Sequence, residues 1–413
     1  MNVVIIGAGA AGCFCSIELK RSLAGARVMV LEALDRPLAK VSITGGGRCN
    51  LTNSFEGISD LREVYPRGHR VLARAFKKFD HEDCRRWFEQ RGVPLVTQTD
   101  HCVFPSSQDA MQIVRTLERE MRSLGVELRT GAAVESVQAH DDGFAVTLKG
   151  GETLDCTHLV VTSGGRSRGG RDFLAPLGLK TVDSVPSLFS FVVADEALTE
   201  LTGTVVQDAA VTLQGTRLCG EGPLLITHRG LSGPAVLRLS SYAARELAQR
   251  QYRSTISVRW LADKGEEQIR SLLEGYRRDF AERLCLSVHP QQLPSRLWQH
   301  LLRRAGLRDG LRWAEIGSRG LGRLVNTLMN DSYPMTGKNH WKEEFVTCGG
   351  VDLSEINPST MESRRYAGLY FAGEVLDIDG LTGGFNLQAA WSTGYVAARD
   401  IFSKLADDNQ KTP

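Results

Sequence analysis

The sequence predicts an α/β protein in which a nucleotide-binding domain with a parallel sheet is interrupted by a β-rich second domain. Three observations predict this architecture. The first 32 residues have the pattern of a strand, a glycine-rich turn, a helix and a second strand. From Pro186 the composition shifts to short strands. Near the other end, the buried strand Leu369 to Ala372 leads into a glycine-rich loop and a helix, so we expect both ends of the chain to form one domain.

The first strand and turn carry the most informative motif. Val3 to Ile6 is a short apolar, β-branched run, which predicts a strand buried on both faces. The glycine pattern from Gly7 to Gly12 follows it directly. In such a fingerprint, Gly7 permits a tight turn, Gly9 lets a pyrophosphate approach the backbone, and Gly12 lets the helix pack close to the strand.

The helix that follows begins with Ala10 and Ala11, whose free N–H groups would point at phosphates. The second strand, Val28 to Leu31, ends at Glu32, about twenty residues beyond the last glycine, where a carboxylate receives ribose hydroxyls. Because an acid there repels a 2′-phosphate, FAD or NAD is favoured over NADP. The first strand starts at residue 3, so we expect no targeting peptide and a cytoplasmic location.

Composition bounds the remaining possibilities. The length of 413 residues suggests two or three domains, and no apolar run approaches the roughly 18 residues of a membrane span, so no membrane partner is expected. The net charge of +2 is too small to imply a polyanionic partner by itself. The nine scattered cysteines contain no CxxC pair, which indicates reduced thiols and predicts no metal site.

A second informative stretch runs from Arg36 to Asn53. Its three consecutive glycines, Gly45 to Gly47, are costly to hold as helix or strand, which suggests that backbone without side chains is needed there. A planar cofactor pressed against the main chain would need it, with Arg48 and Asn50 supplying fixed polar groups beside it. The alternative is a flexible loop with incidental polar residues.

The rest of the first domain alternates helices and strands. Residues 61–91 are predicted to be helical, and most of their basic charge is expected to be a solvated face. A turn at Ser106-Ser107 is predicted to cap the next helix. That helix is predicted at Asp109 to Leu124. Two strand pairs are predicted after it: Val126 to Arg129 with Val134 to Gln138, and Phe144 to Leu148 with Thr153 to Cys156.

The apolar strand from Leu159 ends in small residues that include Ser163 and Gly164. Small residues at the carboxyl end of a sheet strand leave space for a ligand at the switch point. A second nucleotide fingerprint is the alternative. It is disfavoured because Arg166 to Gly170 continues as a loop and no paired strand with a terminal acid follows.

His228 is the candidate acid–base side chain in the β-rich domain. It lies in the segment Thr227 to Pro234, in a predicted turn between a strand and the helix Ala235 to Leu247. It is either an acid or base that faces a ligand or an ordinary loop histidine. The strands of this domain are predicted at Leu188 to Val193, Val205 to Leu213, Leu224 to Thr227 and Thr255 to Trp260.

Residues 264–330 predict a helical insert with a basic later part. Clustered arginines can bind the phosphates of RNA, although a solvated helical face is the favoured interpretation. The arginines concerned are Arg296, Arg303, Arg304, Arg308, Arg312, Arg319 and Arg323.

The C-terminal segment predicts another helix N-terminus beside a cofactor. After the strand come Gly373 and Glu374, then a loop from Asp377 to Gly384 and a helix from about Asn386 to Ala398. A reduced flavin is anionic at its N1–C2=O edge, so a helix dipole there would stabilise the reduced form.

Four segments resemble one bacterial family. They are Lys40 with Gly45 to Asn53, Thr227 to Pro234, Thr360 to Ser363, and Gly368 to Gly380. The chain is identified over its whole length as similar to the NAD(P)/FAD-dependent oxidoreductases of the aminoacetone oxidase type. That family also contains a bile-acid enone reductase and a ribosomal RNA dihydrouridine synthase. The resemblance implies a glutathione-reductase-like FAD domain (residues 1–185 and 350–413), a β-barrel-like domain (186–262 and 331–349) and a helical insert (263–330).

The resemblance also implies the cofactor contacts. Gly7, Gly9, Gly12 and Glu32 would hold the ADP half, and Val134 would meet the adenine through its backbone. The residues along the flavin would be Lys40, Thr44, Gly45, Gly46, Arg48 and Asn50. Those at the ribityl chain and pyrimidine edge would be Gly373, Glu374, Gly384, Asn386 and Leu387.

Two departures from the family pattern limit the transfer of substrate. Leu38-Ala39 stands where the family usually has Gly-Arg before the lysine, which barely affects the FAD prediction. The loop after residues 159–163 is shortened and basic where the family usually has a longer one. It lies where cofactor and substrate chambers would meet, so the substrate does not follow from the resemblance.

The leading hypothesis is an FAD-dependent reductase that takes hydride from a transiently bound NAD(P)H and passes it to an activated C=C bond of a small molecule. Arg48 would polarise the flavin or a substrate carbonyl, and His228 would donate a proton. The alternatives are reduction of a uridine in ribosomal RNA, oxidation of a small amine, and a flavin redox sensor. The oligomeric state and the reactivity of Cys49 stay open.

Overall fold

The computed structural model describes residues 2–165, 173–339 and 346–411. The strands are β1 (Asn2–Ile6), β2 (Arg27–Leu31), β3 (Thr52–Asn53), β4 (Leu95–Thr97), β5 (Cys102–Pro105), β6 (Glu127–Arg129), β7 (Val134–His140), β8 (Gly143–Leu148), β9 (Thr153–Cys156), β10 (His158–Val161), β11 (Thr181–Ser187), β12 (Phe191–Val193), β13 (Val205–Leu213), β14 (Cys219–Thr227), β15 (Gly230–Ser232), β16 (Ser254–Arg259), β17 (Asp331–Lys338), β18 (Val346–Val351) and β19 (Leu369–Phe371). The α-helices are α1 (Ala10–Ser22), α2 (Ala39–Gly47), α3 (His69–Ala75), α4 (His81–Glu89), α5 (Ala110–Ser123), α6 (Glu196–Thr199), α7 (Pro234–Tyr242), α8 (Ala244–Gln249), α9 (Glu266–Asp279), α10 (Ser295–Arg304), α11 (Ser318–Asn330) and α12 (Phe385–Lys411).

The chain folds into two compact units. The first unit contains Met1–Ser184 and Val346–Pro413, and the second unit is the intervening segment Val185–Phe345. The first unit is therefore built from both ends of the chain.

A five-stranded parallel sheet forms the centre of the first unit, in the order β19-β10-β1-β2-β6. Residues 3–6 of the central strand β1 are buried, since α1 packs on β1 and β2 while β8 and β9 contact β10 and β1. The carboxyl ends of its strands, at Ile6, Leu31, Val161 and Phe371, meet at one edge, where a ligand binds in such sheets. The predicted α/β fold is confirmed.

The prediction that 126–129 pairs with 134–138 is wrong. β6 joins the parallel sheet beside β2, with Leu128 opposite Val30. β7 instead pairs with β8 in a separate three-stranded antiparallel sheet, β7-β8-β9. The turn between β6 and β7 contains Gly131 at φ 65°, and its residues bond to the backbone after β2 instead of closing a hairpin.

The helices of the first unit differ from their predicted bounds. The basic stretch 61–91 contains a 3-10 turn and two short helices, α3 and α4, rather than one long helix. Asp109 itself caps α5, since its side chain accepts a hydrogen bond from the N–H of Met111, so the cap predicted at Ser106-Ser107 is misplaced. The last helix, α12, continues to Lys411.

The second unit is a closed six-stranded barrel, in the order β12-β15-β14-β13-β16-β17, which confirms the predicted barrel-like fold. Helices α9, α10 and α11 share one apolar core with it. The sequence pattern missed β15 and β17 and the first half of β14. That half contains Gly220, where a Cβ would lie 2.1 Å from the carbonyl oxygen of Ala235 in α7. Because the close packing against α7 requires a glycine there, this half of the strand lacks the alternating apolar residues that would have predicted it. The helix predicted from Ala235 divides into α7 and α8 at Ala243.

None of the described helices is long and apolar enough to cross a membrane. No three His, Cys, Asp or Glu side chains converge on a metal-binding arrangement in the described ranges. The predicted loop from Arg166 to Gly170 lies outside the described residues.

Candidate dinucleotide and flavin site

The glycines of the first turn have different surroundings. Gly7 takes φ 103°, and a Cβ there would lie 2.5 Å from the carbonyl oxygen of Thr162 on the neighbouring strand. A Cβ on Gly12 would lie 2.0 Å from the carbonyl oxygen of Gly7, so the helix approaches the turn too closely for a side chain. A Cβ on Gly9 would meet nothing within 4 Å. Only Gly9 therefore faces open space, as the approach of a phosphate requires.

The N-terminus of α1 begins at Ala10, directly after Gly9, and no side chain caps it within the described structure. The first intrahelical bond is donated by the N–H of Cys13 to Gly9, so the N–H groups of Ala10, Ala11 and Gly12 lack an intrahelical acceptor. Uncapped N–H groups and the helix dipole together favour an anion. Phosphate oxygens are the acceptors that fit this turn.

Glu32 is held at the end of β2 by two backbone donors. Its Oε2 accepts from the N–H of Ala8 at 2.8 Å, and its Oε1 accepts from the N–H of Leu34 at 2.9 Å. The backbone carbonyl of Glu32 accepts from the N–H of Ala132 at 2.8 Å, which brings the start of β7, at Val134, beside it. The carboxylate and the first residue of β7 thus lie at the same edge of the sheet.

The triple glycine is the broken end of a helix. α2 begins at Ala39, but Thr44, Gly45 and Gly46 leave helical geometry, the two glycines with φ of 58° and 69°. A Cβ on Gly45 would lie 2.9 Å from the backbone nitrogen of Asn50, whereas a Cβ on Gly46 or Gly47 would meet nothing within 4 Å. Open backbone of this kind suits a planar ring laid against it.

Lys40 and Glu374 form an ion pair across this edge, with 3.1 Å between Nζ and Oε2. Glu374 also accepts from the N–H of Thr347 at 2.8 Å. Gly164, which follows β10 and Ser163, faces the same carboxylate, since a Cβ on it would lie 3.8 Å from Oε2. Gly373 packs closely against α1, since a Cβ on Gly373 would lie 3.0 Å from the Cβ of Ala11. This close packing fixes the backbone next to Glu374.

Arg48 and Asn50 have different partners. Arg48 is exposed, its Nε donates to the carbonyl of Gly45 at 3.1 Å, and its guanidinium lies 4.5 Å from the ring centre of Phe104. In the orientation that gives both the amide nitrogen and the amide oxygen a partner, the Asn50 side chain donates to the carbonyl of Thr52 at 3.0 Å and accepts from the N–H of Gly384 at 3.1 Å. Asn50 therefore links the glycine stretch to the start of α12.

Cys49, between them, is buried, and burial raises the pKa of its thiol to about 12. The thiolate is the nucleophilic form of cysteine, so a thiol with this pKa is inert near neutral pH. Packing accounts for Cys49.

The start of α12 also leaves N–H groups without an intrahelical acceptor. Gly384 takes φ 87°, and a Cβ there would lie 2.3 Å from the carbonyl oxygen of Thr52. The first intrahelical bond is donated by Gln388 to Gly384, so the N–H groups of Phe385, Asn386 and Leu387 lack an intrahelical acceptor. The Asn386 side chain is occupied elsewhere, since it bonds to both backbone groups of Gly380. Its predicted cofactor contact is therefore restricted to its backbone.

Several residues of this site were missed by sequence reasoning. Thr162 Oγ1 donates to the carbonyl of Gly7 at 2.8 Å and so holds the turn. Arg67 pairs with the fully buried Asp379 of the loop before α12. Asp379 belongs to a motif already noted in the sequence, but Arg67 was grouped with surface charge, because no local pattern separates a buried arginine from an exposed one.

His228 lies in the second unit, in a two-residue turn between β14 and β15 rather than directly before a helix, so its predicted place is corrected. Its side chain is exposed.

The arginines of the helical insert are largely paired: Arg303 with Asp309, Arg304 with Asp331, Arg308 with Glu315 and Arg312 with Glu282.

The residues present fit a dinucleotide that carries a flavin. The N-termini of α1 and α12, an acid at the end of β2 and open glycine backbone at Gly9, Gly46 and Gly47 belong to the sheet edge and the segments bonded to it within the first unit. The helix termini accept anionic oxygens, and the glycines leave room for groups that a side chain would displace.

Comparison with known proteins identifies a family and several relatives. The family profile described as the HI0933-like protein Rossmann domain matches residues 1–400. A ribosomal RNA dihydrouridine synthase of Escherichia coli K12 is 31% identical over 411 residues, covering 97% of this chain and 98% of that protein. A 3-dehydro-bile acid delta(4,6)-reductase of Clostridium scindens is 27% identical over 407 residues, covering 96% of this chain and 98% of that protein.

A second ribosomal RNA dihydrouridine synthase, from Haemophilus influenzae, is 30% identical over 414 residues, covering 96% of this chain and 98% of that protein. Among solved structures, a 3-ketosteroid delta1-dehydrogenase from Sterolibacterium denitrificans aligns with a TM-score of 0.49 at 12% identity. The alignment covers 97% of this chain and 99% of that one.

Proposed function

The chain belongs to the HI0933-like Rossmann-domain family of FAD-dependent oxidoreductases, and from that premise we propose that it reduces a carbon–carbon double bond conjugated to a carbonyl, with NAD(P)H as electron donor. The observation that carries the proposal is the start of α12, where three N–H groups lack an intrahelical acceptor beside the open glycine backbone. Such a terminus favours negative charge, as a cofactor that must store two electrons requires.

The proposed substrate is the uracil ring of an RNA. Two relatives at 30–31% identity, matched over nearly their full length, are named ribosomal RNA dihydrouridine synthases. Dihydrouridine is uridine whose C5=C6 bond, conjugated to the C4 carbonyl, has gained two hydrogens. A steroid enone is the second candidate, favoured by the bile-acid reductase at 27% identity. Both reactions have the same chemical form.

The cofactor contacts proposed for FAD follow the placement of the residues. Gly9, Ala10 and Ala11 would bind the pyrophosphate, and Glu32 the ribose, with Val134 at the adenine. On the flavin side, the proposed contacts are Lys40, Thr44, Gly45, Gly46, Arg48, Asn50, Ser163, Gly164, Gly373, Glu374, Gly384, Asn386 and Leu387. Bound FAD supplies hydride transfer from the nicotinamide to the acceptor carbon.

The chain supplies orientation and a proton. Reduction of a conjugated C=C bond places a hydride on the β-carbon and a proton on the α-carbon, so an acid is needed. We assign that role to His228, whose side chain is exposed. Arg48, exposed beside the open glycines, is assigned the polarisation of the carbonyl. The proposed location is the cytoplasm, where RNA and NAD(P)H are both present.

Anaerobic titration of the purified protein with NADH and with NADPH tests the reductase assignment. We expect the visible flavin spectrum to bleach with one of the two donors. A flavin that neither donor reduces would contradict the proposal and favour an oxidase or a redox sensor. Peroxide formed in air with a small amine, without added nicotinamide, would identify the oxidase.

Mass spectrometry of ribosomal RNA tests the substrate. RNA from a strain that lacks this chain is expected to lose one dihydrouridine and to regain it when the purified protein and NAD(P)H are added. An unchanged dihydrouridine content, with rapid NAD(P)H-dependent reduction of a steroid enone, would transfer the assignment to the second candidate.

A further inference from the structure

Helix α3 and the turn after it separate apolar and basic residues onto two faces. The spacing of three and four residues places each set on one side of the helix. The buried set is Val71, Leu72, Ala75 and Phe79. The exposed set, here called the α3 basic face, is Arg70, Arg74, Lys77 and Lys78.

The α3 basic face has no acidic partner among the described residues. Arg70 and Lys77 make no hydrogen bond or ion pair there. Within the described ranges, Arg74 and Lys78 hydrogen-bond only to Ser359, through its hydroxyl at 3.5 Å and its backbone carbonyl at 2.7 Å. Four positive charges on nine successive residues therefore have no ion-pair partner in the part of the chain that the structure describes.

The arginines of the helical insert differ in this respect. Arg303, Arg308 and Arg312 each lie 2.8–3.1 Å from a carboxylate of their own unit. Exposed pairs of this kind cancel most of the field that a distant phosphate would feel. The density of arginines in the sequence indicated the insert as a possible RNA-binding surface. The lack of acidic partners among the described residues indicates α3 instead.

The α3 basic face is also joined to the candidate site. Arg67, just before α3, pairs with Asp379, and the carbonyl of Val64 accepts from the N–H of Leu381 at 2.9 Å. Both partners belong to the loop that leads to the uncapped start of α12. A chain of phosphates that follows α3 would therefore run beside that loop, with all contacts in the first unit.

We propose that the α3 basic face binds the phosphate backbone of the RNA substrate; this inference rests on the proposed function. Lysine and arginine that neutralise phosphates release condensed counterions, which gives affinity without base specificity. Such contacts fix position along the strand, and the choice of base is left to the catalytic site.

The test measures binding of the FAD-loaded full chain to a single-stranded oligouridylate at several salt concentrations. The variant is Arg70→Gln with Lys77→Gln, and the matched control is Arg308→Gln with Arg312→Gln, which also removes two charges but from paired positions. Loss of two phosphate contacts is expected to reduce the slope of log K against log salt by about 1.4 and the affinity by about 25-fold at 0.1 M salt. The control is expected to change affinity by less than about threefold.

The outcomes separate this inference from the proposed function. Equal salt slopes for the variant and the unmodified chain, or no binding of oligouridylate at all, would overturn the inference. Binding of phosphatidylserine vesicles in place of RNA would overturn it in favour of a membrane surface. If RNA binding depends on the α3 basic face but no dihydrouridine forms, the inference stands and the function fails. If dihydrouridine forms equally well with the variant, the function stands and the inference fails.

Discussion

Individual glycines of the first turn serve two separable purposes. Gly12 is needed by the protein, because a methyl group there would lie 2.0 Å from a backbone oxygen. Gly9 has open space around it and an ordinary φ of −83°, so the folded chain tolerates a side chain there. The difference predicts different behaviour for the same substitution at the two positions.

Gly12→Ala is expected to lower the free energy of unfolding of the FAD-free protein by about 1–3 kcal/mol through overpacking. Gly9→Ala is expected to leave that free energy within about 1 kcal/mol and to weaken FAD binding at least about tenfold, since its methyl group occupies the phosphate space. Urea unfolding and flavin fluorescence measure the two effects. Gly25→Ala, also in open space, is the control. Unchanged FAD affinity in Gly9→Ala would refute the assigned contact.

His228 is the residue on which the proton-transfer proposal depends. His228→Ala is expected to lower the rate of acceptor reduction by about 10²-fold or more, as loss of a general acid does, while NAD(P)H reduces the flavin at the original rate. Stopped-flow kinetics separate the two half-reactions. His140→Ala, at another exposed histidine, provides the comparison. Equal loss in both half-reactions would indicate a structural role for His228 instead.

At the scale of elements, residues 64–68 hold the loop that precedes α12. Tyr65 Oη donates to the carbonyl of Phe385 at 2.8 Å, and a Cβ on Gly68 would lie 2.4 Å from a side-chain carbon of Ile378. Arg67 forms two hydrogen bonds to Asp379, whose side chain is fully buried. The start of α12 is therefore positioned by tertiary contacts and not by its own capping residue.

Arg67→Ala leaves the Asp379 carboxylate buried without its charge partner, which is expected to cost about 3–5 kcal/mol of unfolding free energy. FAD affinity should fall with it, because the loop sets the donors at α12. Arg62→Ala breaks only the exposed pair with Asp60, so a change of less than about 1 kcal/mol is expected. Equal stability of the two variants by chemical unfolding would contradict the positioning role of Arg67.

At the scale of the whole molecule, each of the two units contains an arginine paired with a buried aspartate. In the second unit, a buried polar network ties the helical insert to the barrel. Asp331 accepts from Trp260 Nε1 at 2.9 Å and from Arg304 Nε at 2.7 Å, and its neighbour Tyr333 lies 3.3 Å from His300 Nε2. Burial lowers the pKa of His300 below its usual value of 6.5, although the nearby acids oppose the shift.

This shift predicts that the second unit loses stability in mild acid. His300 binds a proton more readily in the unfolded chain than in the folded one, so the free energy of unfolding falls as the pH drops below 6.5 and stops falling once the folded form is also protonated. Chemical unfolding followed by Trp fluorescence measures the profile. His300→Gln should flatten it below pH 6.5. An identical pH dependence in that variant would assign the effect to other groups.

The outline of the fold could be predicted from sequence because its signals are local. The strand Val3–Ile6, the glycine turn and Glu32 all lie within one stretch of chain, and the short strands after Pro186 indicated a β-rich second domain, which only the family resemblance described as barrel-like. Local pattern failed where a partner strand was chosen by distant contacts. β6 pairs with β2 rather than β7, and the glycine-containing half of β14 packs against α7.

The sequence by itself determined the α/β fold and the β-rich composition of the second domain, since strands, helices and turns follow from nearby residues. It also predicted the residue types of a dinucleotide site. Only the tertiary structure distinguished Gly9 from Gly12, separated the partly buried Arg67 from the exposed Arg70, and showed which arginines are already paired. The space around a glycine and the partner of a charged side chain both depend on residues that are far apart in the chain. Folding alone brings those residues together.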